Sequence, residues 1–122
     1  MATALIIDDN RQTADALAQM LEVLGFETQL AYGPSSGMVL LGNLLPDLIL
    51  LDINMPGIDG LEVLAYLRRE PRLNTVPVII VTSDDQPETR RRAFQVGAQG
   101  FILKPVTLDV IEAELKRLGM AN

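Results

Sequence analysis

Five residues carry most of the chemistry open to this chain: the adjacent pair Asp8-Asp9, then Asp52, Thr82 and Lys104. With no histidine and no cysteine among 122 residues, imidazole and thiolate chemistry is excluded. That removes the usual general base, the serine-histidine-aspartate triad, thiolate metal sites and disulfides. What remains is carboxylate, hydroxyl, ammonium and guanidinium. Three carboxylates gathered in one place repel, and the pKa of at least one would rise. A divalent cation relieves this. Mg²⁺ suits such a site, because it takes one or two protein carboxylates and keeps positions for water and phosphate oxygens.

Taken singly, each of these residues has an ordinary role. Asp8-Asp9 could form a loop and helix cap, Asp52 a turn, Thr82 a β-branched strand position and Lys104 a solvated loop. Their placement argues otherwise. The runs Ala4 to Ile7, Leu48 to Leu51, Val76 to Thr82 and Phe101 to Leu103 are short and uncharged, the pattern of strands buried on both faces. Phe26 to Leu30 alternates and suits an edge strand with one wet face.

Helical spacing fills the gaps. Arg11 to Leu24 places Ala14, Leu17, Ala18, Leu21 and Leu24 on one stripe, with Asn10 as N-cap and Gly25 as stop. Pro34 to Leu45 reads as a helix weakened by Gly37 and Gly42, each costing about 1 kcal/mol relative to Ala. Leu61 to Arg69 and Glu88 to Val96 follow, the latter closed by Gly97. Thr107 caps a last helix carrying Val110, Ile111, Leu115 and Leu118, ended by Gly119. Strict alternation of this kind predicts an α/β fold, a doubly wound parallel sheet with right-handed crossovers, in a single domain over 1–122. In such sheets functional groups collect beyond the carboxyl ends of the strands. There the first strand delivers Asp8-Asp9, the third Asp52, the fourth Thr82-Ser83 and the fifth Lys104-Pro105, while the second delivers nothing charged. Three acids, a hydroxyl and an ammonium therefore converge on one rim.

The set in this order resembles a two-component response-regulator receiver domain of the CheY-like kind. Asp8-Asp9 carries the resemblance, with Asp52-Ile53-Asn54-Met55-Pro56 followed by Gly60, then Thr82, then Gly97-Ala98-Gln99-Gly100-Phe101-Ile102-Leu103-Lys104-Pro105. The resemblance covers essentially the whole chain and implies a flavodoxin-like (βα)5 sheet of strand order 2-1-3-4-5. It implies that Asp52 is the phosphoacceptor, and that Asp9, Asp52 and the Asn54 backbone carbonyl hold Mg²⁺, with Asp8 acting largely through a bound water. Thr82 would be the switch hydroxyl, Lys104 the cation that meets the phosphoryl group, and Phe101 the aromatic that turns from an outward to an inward rotamer. The Lys104-Pro105 bond would be cis. The implied partners are a histidine kinase or histidine phosphotransfer protein and a downstream target protein. Such a domain is a signalling module rather than an enzyme, although it supports its own phosphotransfer and dephosphorylation. The chain departs from the family pattern at Phe101, where tyrosine is more frequent, and at Ser83, where alanine often stands. Asn54 and Asp84 occupy positions that tune the phosphoryl lifetime in relatives.

Two other readings fail on particular residues, and two stand as alternatives, an aspartyl-phosphate phosphatase and a phosphorylation-independent pseudo-receiver. A calcium loop starting at Asp52 meets Pro56 at its fifth position and Val63 at its twelfth, where a bidentate glutamate is needed. Gly37 to Gly42 has P-loop spacing, but Asn43-Leu44 stand in place of lysine and a hydroxyl residue. An aspartyl-phosphate phosphatase of the haloacid dehalogenase type needs a second aspartate where Asn54 lies, and an amide cannot serve as general acid. A pseudo-receiver used only for interaction would be expected to lose an acid or the lysine, and none is lost. Arg90-Arg91-Arg92 fan over about 200° of a helix, which favours a solvated, partly ion-paired face over a docking stripe. A net charge of -6 argues against direct contact with nucleic acid or an anionic membrane. No apolar run approaches the roughly 18 residues of a membrane span and no basic signal opens the chain, so a cytoplasmic location is expected.

Overall fold

The computed structural model describes residues 1–120. Ala121 and Asn122, the end of the expected 1–122 domain, lie outside the described residues. Five strands and five helices alternate: β1 Thr3–Ile7, α1 Arg11–Val23, β2 Glu27–Ala31, α2 Pro34–Leu41, β3 Leu48–Leu51, α3 Gly60–Arg69, β4 Val78–Thr82, α4 Pro87–Val96, β5 Gly100–Leu103 and α5 Leu108–Arg117. All strand pairs are parallel, in the order β2-β1-β3-β4-β5. This is the expected doubly wound (βα)5 sheet.

Alternation along the central strands sends neighbouring side chains to opposite faces, and both faces are dry. Leu5, Ile7, Ile49, Leu51, Val78 and Ile80 pack against residues of α2, α3 and α4. Ala4, Ile6, Leu48, Leu50, Ile79 and Val81 pack against α1 and α5. β2 has the wet face expected of an edge strand, with Glu27 and Gln29 exposed. Asn10 caps α1 by accepting the Thr13 N–H, and Thr107 caps α5 by accepting the Val110 N–H. Gly25, Gly97 and Gly119 follow their helices at positive φ, as the helix stops require. Among the described residues, no helix is long and apolar enough to cross a membrane.

Several boundaries differ from the periodicity, each for a local reason. α2 ends at Leu41 rather than Leu45, because the Gly42 N–H turns back to the Val39 and Leu40 carbonyls and closes the helix early. β4 begins at Val78 rather than Val76, since Pro77 has no N–H for the ladder. Val110, expected on the apolar stripe of α5, is 46 % exposed, whereas Ile111 and Leu115 are buried. The helix turns its Ile111 edge to the sheet and leaves Val110 beside it on the surface.

Two glycines set close approaches, and the one at Gly60 is against backbone that cannot give way. A Cβ on Gly37 would stand 2.8 Å from Ile7 Cδ1, so the weak helix α2 exchanges helix propensity for contact with β1. At Gly60 a Cβ would fall 2.3 Å from the Asp52 carbonyl oxygen and 2.5 Å from Ile53 Cα. The first turn of α3 therefore lies directly on the backbone that leaves β3. Gly60→Ala should destabilise the fold by about 2–3 kcal/mol through forced backbone displacement. Gly33→Ala, where nothing lies within 4 Å, should cost less than about 1 kcal/mol. Chemical denaturation of the two variants against wild type checks this, and equal costs would refute it.

Candidate functional site

Strand register brings the acids together. Ile7 pairs with Leu51, so the next residues, Asp8 and Asp52, leave the sheet side by side, and the Asp52 N–H donates to the Ile7 carbonyl at 3.0 Å. Asp8 is likewise held from the other side by its N–H on the Ala31 carbonyl at 3.0 Å. Thr82 pairs with Leu103, which sets Lys104 just past the end of β5, its N–H on the Thr82 carbonyl. The Lys104-Pro105 peptide bond is cis, as expected.

Asp8 and Asp52 are buried, at 1 % and 5 % exposure, while Asp9 is exposed. One carboxylate oxygen from each of the three lies within 4.8 Å of the others. The Lys104 ammonium stands 2.9 Å from Asp8 Oδ2 and 3.4 Å from Asp52 Oδ2. The other oxygens are tied locally, Asp8 Oδ1 by the Asn10 N–H at 2.9 Å and Asp52 Oδ1 by the Asn54 N–H at 3.1 Å. Asn10 and Asn54 thus stand in the same relation to their aspartates, each two residues on and donating its backbone N–H.

Charge balance in this pocket is incomplete. Burial pushes the Asp52 carboxyl above the usual carboxylate range, and the Asn54 N–H and the Lys104 charge pull it back without prevailing. Burial alone would lower the Lys104 pKa, but the Asp8 contact and the charges of Asp52 and Asp8 hold it above its ordinary value. Asp8 Oδ2 is buried and has the ammonium nearby without an aligned hydrogen bond, leaving acceptor capacity unfilled. A buried, under-satisfied oxygen beside two further carboxylates is what a hard dication would complete, so the residues fit Mg²⁺.

Thr82 is fully buried. Its Oγ1 accepts from Asn54 Nδ2 and from the Asp84 N–H, both at 3.2 Å. Asp84 in turn braces the start of α4, accepting the Gln86 N–H at 3.0 Å and the Thr89 hydroxyl at 2.8 Å, and these bonds hold its carboxyl below the usual range. Phe101 lies within the fold at 7 % exposure, its ring 6.5 Å from that of Phe94 and 5.5 Å from the Arg90 guanidinium. An inward turn of this ring would therefore change its neighbours more than its exposure.

Periodicity left three contacts unread. The Asn54 amide reaches Thr82 across 28 residues of chain, with no local signal. The Phe101 N–H donates to Glu114 Oε2 at 3.1 Å, which covers the outer edge of β5 with a carboxylate. Tyr32, just past the second strand, donates its hydroxyl to Asp15 under the Arg11 guanidinium. Arg91 pairs with Glu88 on an exposed face, as expected of the arginine run, but Arg90 instead covers Phe94 and Phe101.

Because folding raises the Asp52 pKa, the stabilising form is the protonated one. Its contribution is complete below the unfolded value of about 3.9 and is lost as pH rises through the folded value. In chelator at pH 7, Asp52→Asn should raise the melting temperature, and the gain should vanish as pH falls toward 4. Lys104→Met should lower metal-free stability by about 3 kcal/mol, since it leaves Asp8 and Asp52 uncompensated, and adding Asp52→Asn should recover part of that loss. Thermal melts of the three variants across pH check both signs.

Comparison with known proteins agrees with this geometry. The response regulator receiver domain family matches residues 4–116. The DNA-binding dual master transcriptional regulator RpaA of Synechocystis sp. is 34 % identical over 118 residues, covering 97 % of this chain and 49 % of its own length. The chain thus spans about half the length of that relative. The signal receiver domain of a DNA-binding response regulator from Colwellia psychrerythraea superposes with a TM-score of 0.90 at 30 % identity, over 98 % of both chains. A response regulator from Burkholderia pseudomallei, solved with a phosphorylated aspartic acid, a calcium ion and citrate, superposes at 0.85 with 26 % identity, over 94 % of this chain and 66 % of its own. With its five-stranded sheet, its rim of acids and these matches, the chain belongs to the response regulator receiver domain family of two-component systems.

Proposed function

We propose that Asp52 accepts a phosphoryl group from a phosphohistidine on a histidine kinase or histidine phosphotransfer protein, and that this modification switches a surface read by a downstream target protein. The observation that carries the reading is the convergence of Asp8, Asp9 and Asp52, with Lys104 set against Asp8 and Asp52. In the transfer, an Asp52 oxygen forms the new O–P bond as the N–P bond of the donor breaks. The electron pair leaves with the imidazole nitrogen, which takes up a proton. Burial keeps the Asp52 oxygen basic, Lys104 meets charge on the equatorial oxygens, and the Thr82 hydroxyl donates to one of them. Asp8, Asp9, Asp52 and the Asn54 carbonyl would hold Mg²⁺, which when bound stabilises the same phosphoryl charge and screens the acids. The Burkholderia relative, solved with a phosphorylated aspartic acid and a divalent ion, supports this assignment.

The output surface is α4, β5 and α5, in a single cytoplasmic domain. Drawing Thr82 toward a phosphoryl oxygen would pull Asp84 and the start of α4, biasing a two-state surface. A groove of about 580 Å³ lies there, lined by Arg90, Phe94, Phe101, Val110, Glu114 and Arg117. Its exposed apolar members favour a protein target, and the net charge disfavours nucleic acid or a membrane as the direct partner.

Incubation with a small acyl phosphate and Mg²⁺ should give one labile phosphoryl adduct, mapped to Asp52 by mass spectrometry and abolished by Asp52→Asn. An adduct on serine or threonine, or one formed equally well in excess chelator, would overturn the reading. Mg²⁺ should also raise thermal stability, by about 2.7 kcal/mol at one hundred times its Kd, and Asp9→Ala should flatten that response. Thr82→Ala should still take phosphate at Asp52 but lose most of the amide shift changes at Phe101 and across α4 that a beryllofluoride mimic induces in wild type.

A further inference from the structure

We propose that Asn54 is a positioning residue whose side-chain amide sets the hydrogen-bond polarity of Thr82, so that the buried hydroxyl can act toward the acid pocket only as a donor. This rests on the reading of Asp52 as phosphoacceptor. A hydroxyl has one proton and two lone pairs. Both lone pairs of Thr82 Oγ1 are engaged, one by Asn54 Nδ2 and one by the Asp84 N–H, each at 3.2 Å. The proton is the only valence left. β4 is buried along its whole length and Thr82 is 0 % exposed, so bulk water does not compete for that proton.

Asn54 is fastened independently of this contact. Its backbone N–H holds Asp52 Oδ1 at 3.1 Å, and it forms an isolated bridge with Asp59, the N-cap of α3. One residue thus holds the acceptor carboxylate with its backbone and the switch hydroxyl with its side chain. The Asp84 N–H hangs from the same Thr82 oxygen, and the Asp84 carboxylate holds the first turn of α4. A new anion at Asp52 would meet a hydroxyl already turned to donate, with the α4 loop attached behind it.

An amide NH₂ donates, but a carboxylate in its place accepts and would draw the Thr82 proton to itself. Polarity can therefore be reversed at nearly constant shape. The test is the affinity for beryllofluoride in the presence of Mg²⁺, followed by amide NMR titration, for Asn54→Asp and Asn54→Leu, each made with Thr82 intact and with Thr82→Val. The added charge of Asn54→Asp acts on the acid pocket in both backgrounds and cancels in the cycle. Asn54→Asp should weaken binding about tenfold more with Thr82 present than with Thr82→Val, the worth of one hydrogen bond to a charged acceptor. Asn54→Leu, which removes the amide that holds the proton toward the pocket, should weaken binding about threefold more with Thr82 present than with Thr82→Val. Equal losses from Asn54→Asp in both backgrounds would overturn the proposal, placing the effect on the acid pocket directly. So would an Asn54→Leu loss no larger with Thr82 present than with Thr82→Val. Failure of wild type to bind beryllofluoride, or undiminished binding by Asp52→Asn, would instead overturn the phosphoacceptor reading, and the proposal with it.

Discussion

The Lys104 ammonium, held between Asp8 and Asp52, is the interaction on which the site depends. Two buried carboxylates side by side at the end of a dry sheet would repel, and neither has bulk water to screen it. Lys104 is the cation placed to answer both, at 2.9 Å and 3.4 Å, and it does so incompletely. Asp52 remains harder to ionise than a free aspartate, and one Asp8 oxygen keeps unfilled acceptor capacity. The pocket is left short of positive charge, a shortfall that the proposed Mg²⁺ would fill.

Such a pocket is tolerable only because the rest of the sheet is so thoroughly apolar. β1, β3 and β4 are buried on both faces, with Leu5, Ile7, Leu48, Ile49 and Leu51 at or near zero exposure. Burial on that scale offsets the cost of ionised groups at the strand ends. The same packing supplies precision. Asp8 and Asp52 are fastened by continuations of the strand ladder, and the absent Cβ of Gly60 lets α3 rest on the Asp52 carbonyl. A shift in either strand would move the acids relative to Lys104, which arrives from the far edge of the sheet.

Beyond the pocket, polar contacts lead away from Thr82 in one direction. Asp84 ties the Thr82 hydroxyl to the first turn of α4, and α4 carries Arg90 and Phe94 onto the ring of Phe101. The Phe101 backbone is held in turn by Glu114 of α5. No contact in this path requires a phenolic hydroxyl, which is consistent with phenylalanine standing where tyrosine is more frequent in the family. Arg90 makes a cation–π contact with the same ring.

Much of this was legible in one dimension, because the signals are local. Continuous apolar runs of three to seven residues announce doubly buried strands, Asn10 and Thr107 announce helix starts, and acids placed directly after such runs must emerge on one rim of a parallel sheet. The end of α2, the start of β4 and the orientation of Val110 were not legible. They turn on a backward hydrogen bond at Gly42, a missing N–H at Pro77 and the roll of α5 against its neighbours. The need for glycine at position 60 and the tight fit at Gly37 come from how closely a helix approaches a strand, a distance that periodicity does not encode. The contacts of Asn54 with Thr82, Phe101 with Glu114 and Arg90 with Phe101 join residues with no shared periodicity. The sequence by itself determined which groups reach the rim, since the strand period and side-chain type settle that locally. Only the tertiary structure decided which of them touch and in which polarity each hydroxyl and amide is held, because hydrogen bonds act over about 3 Å, and register, roll and close packing alone bring distant residues within that range.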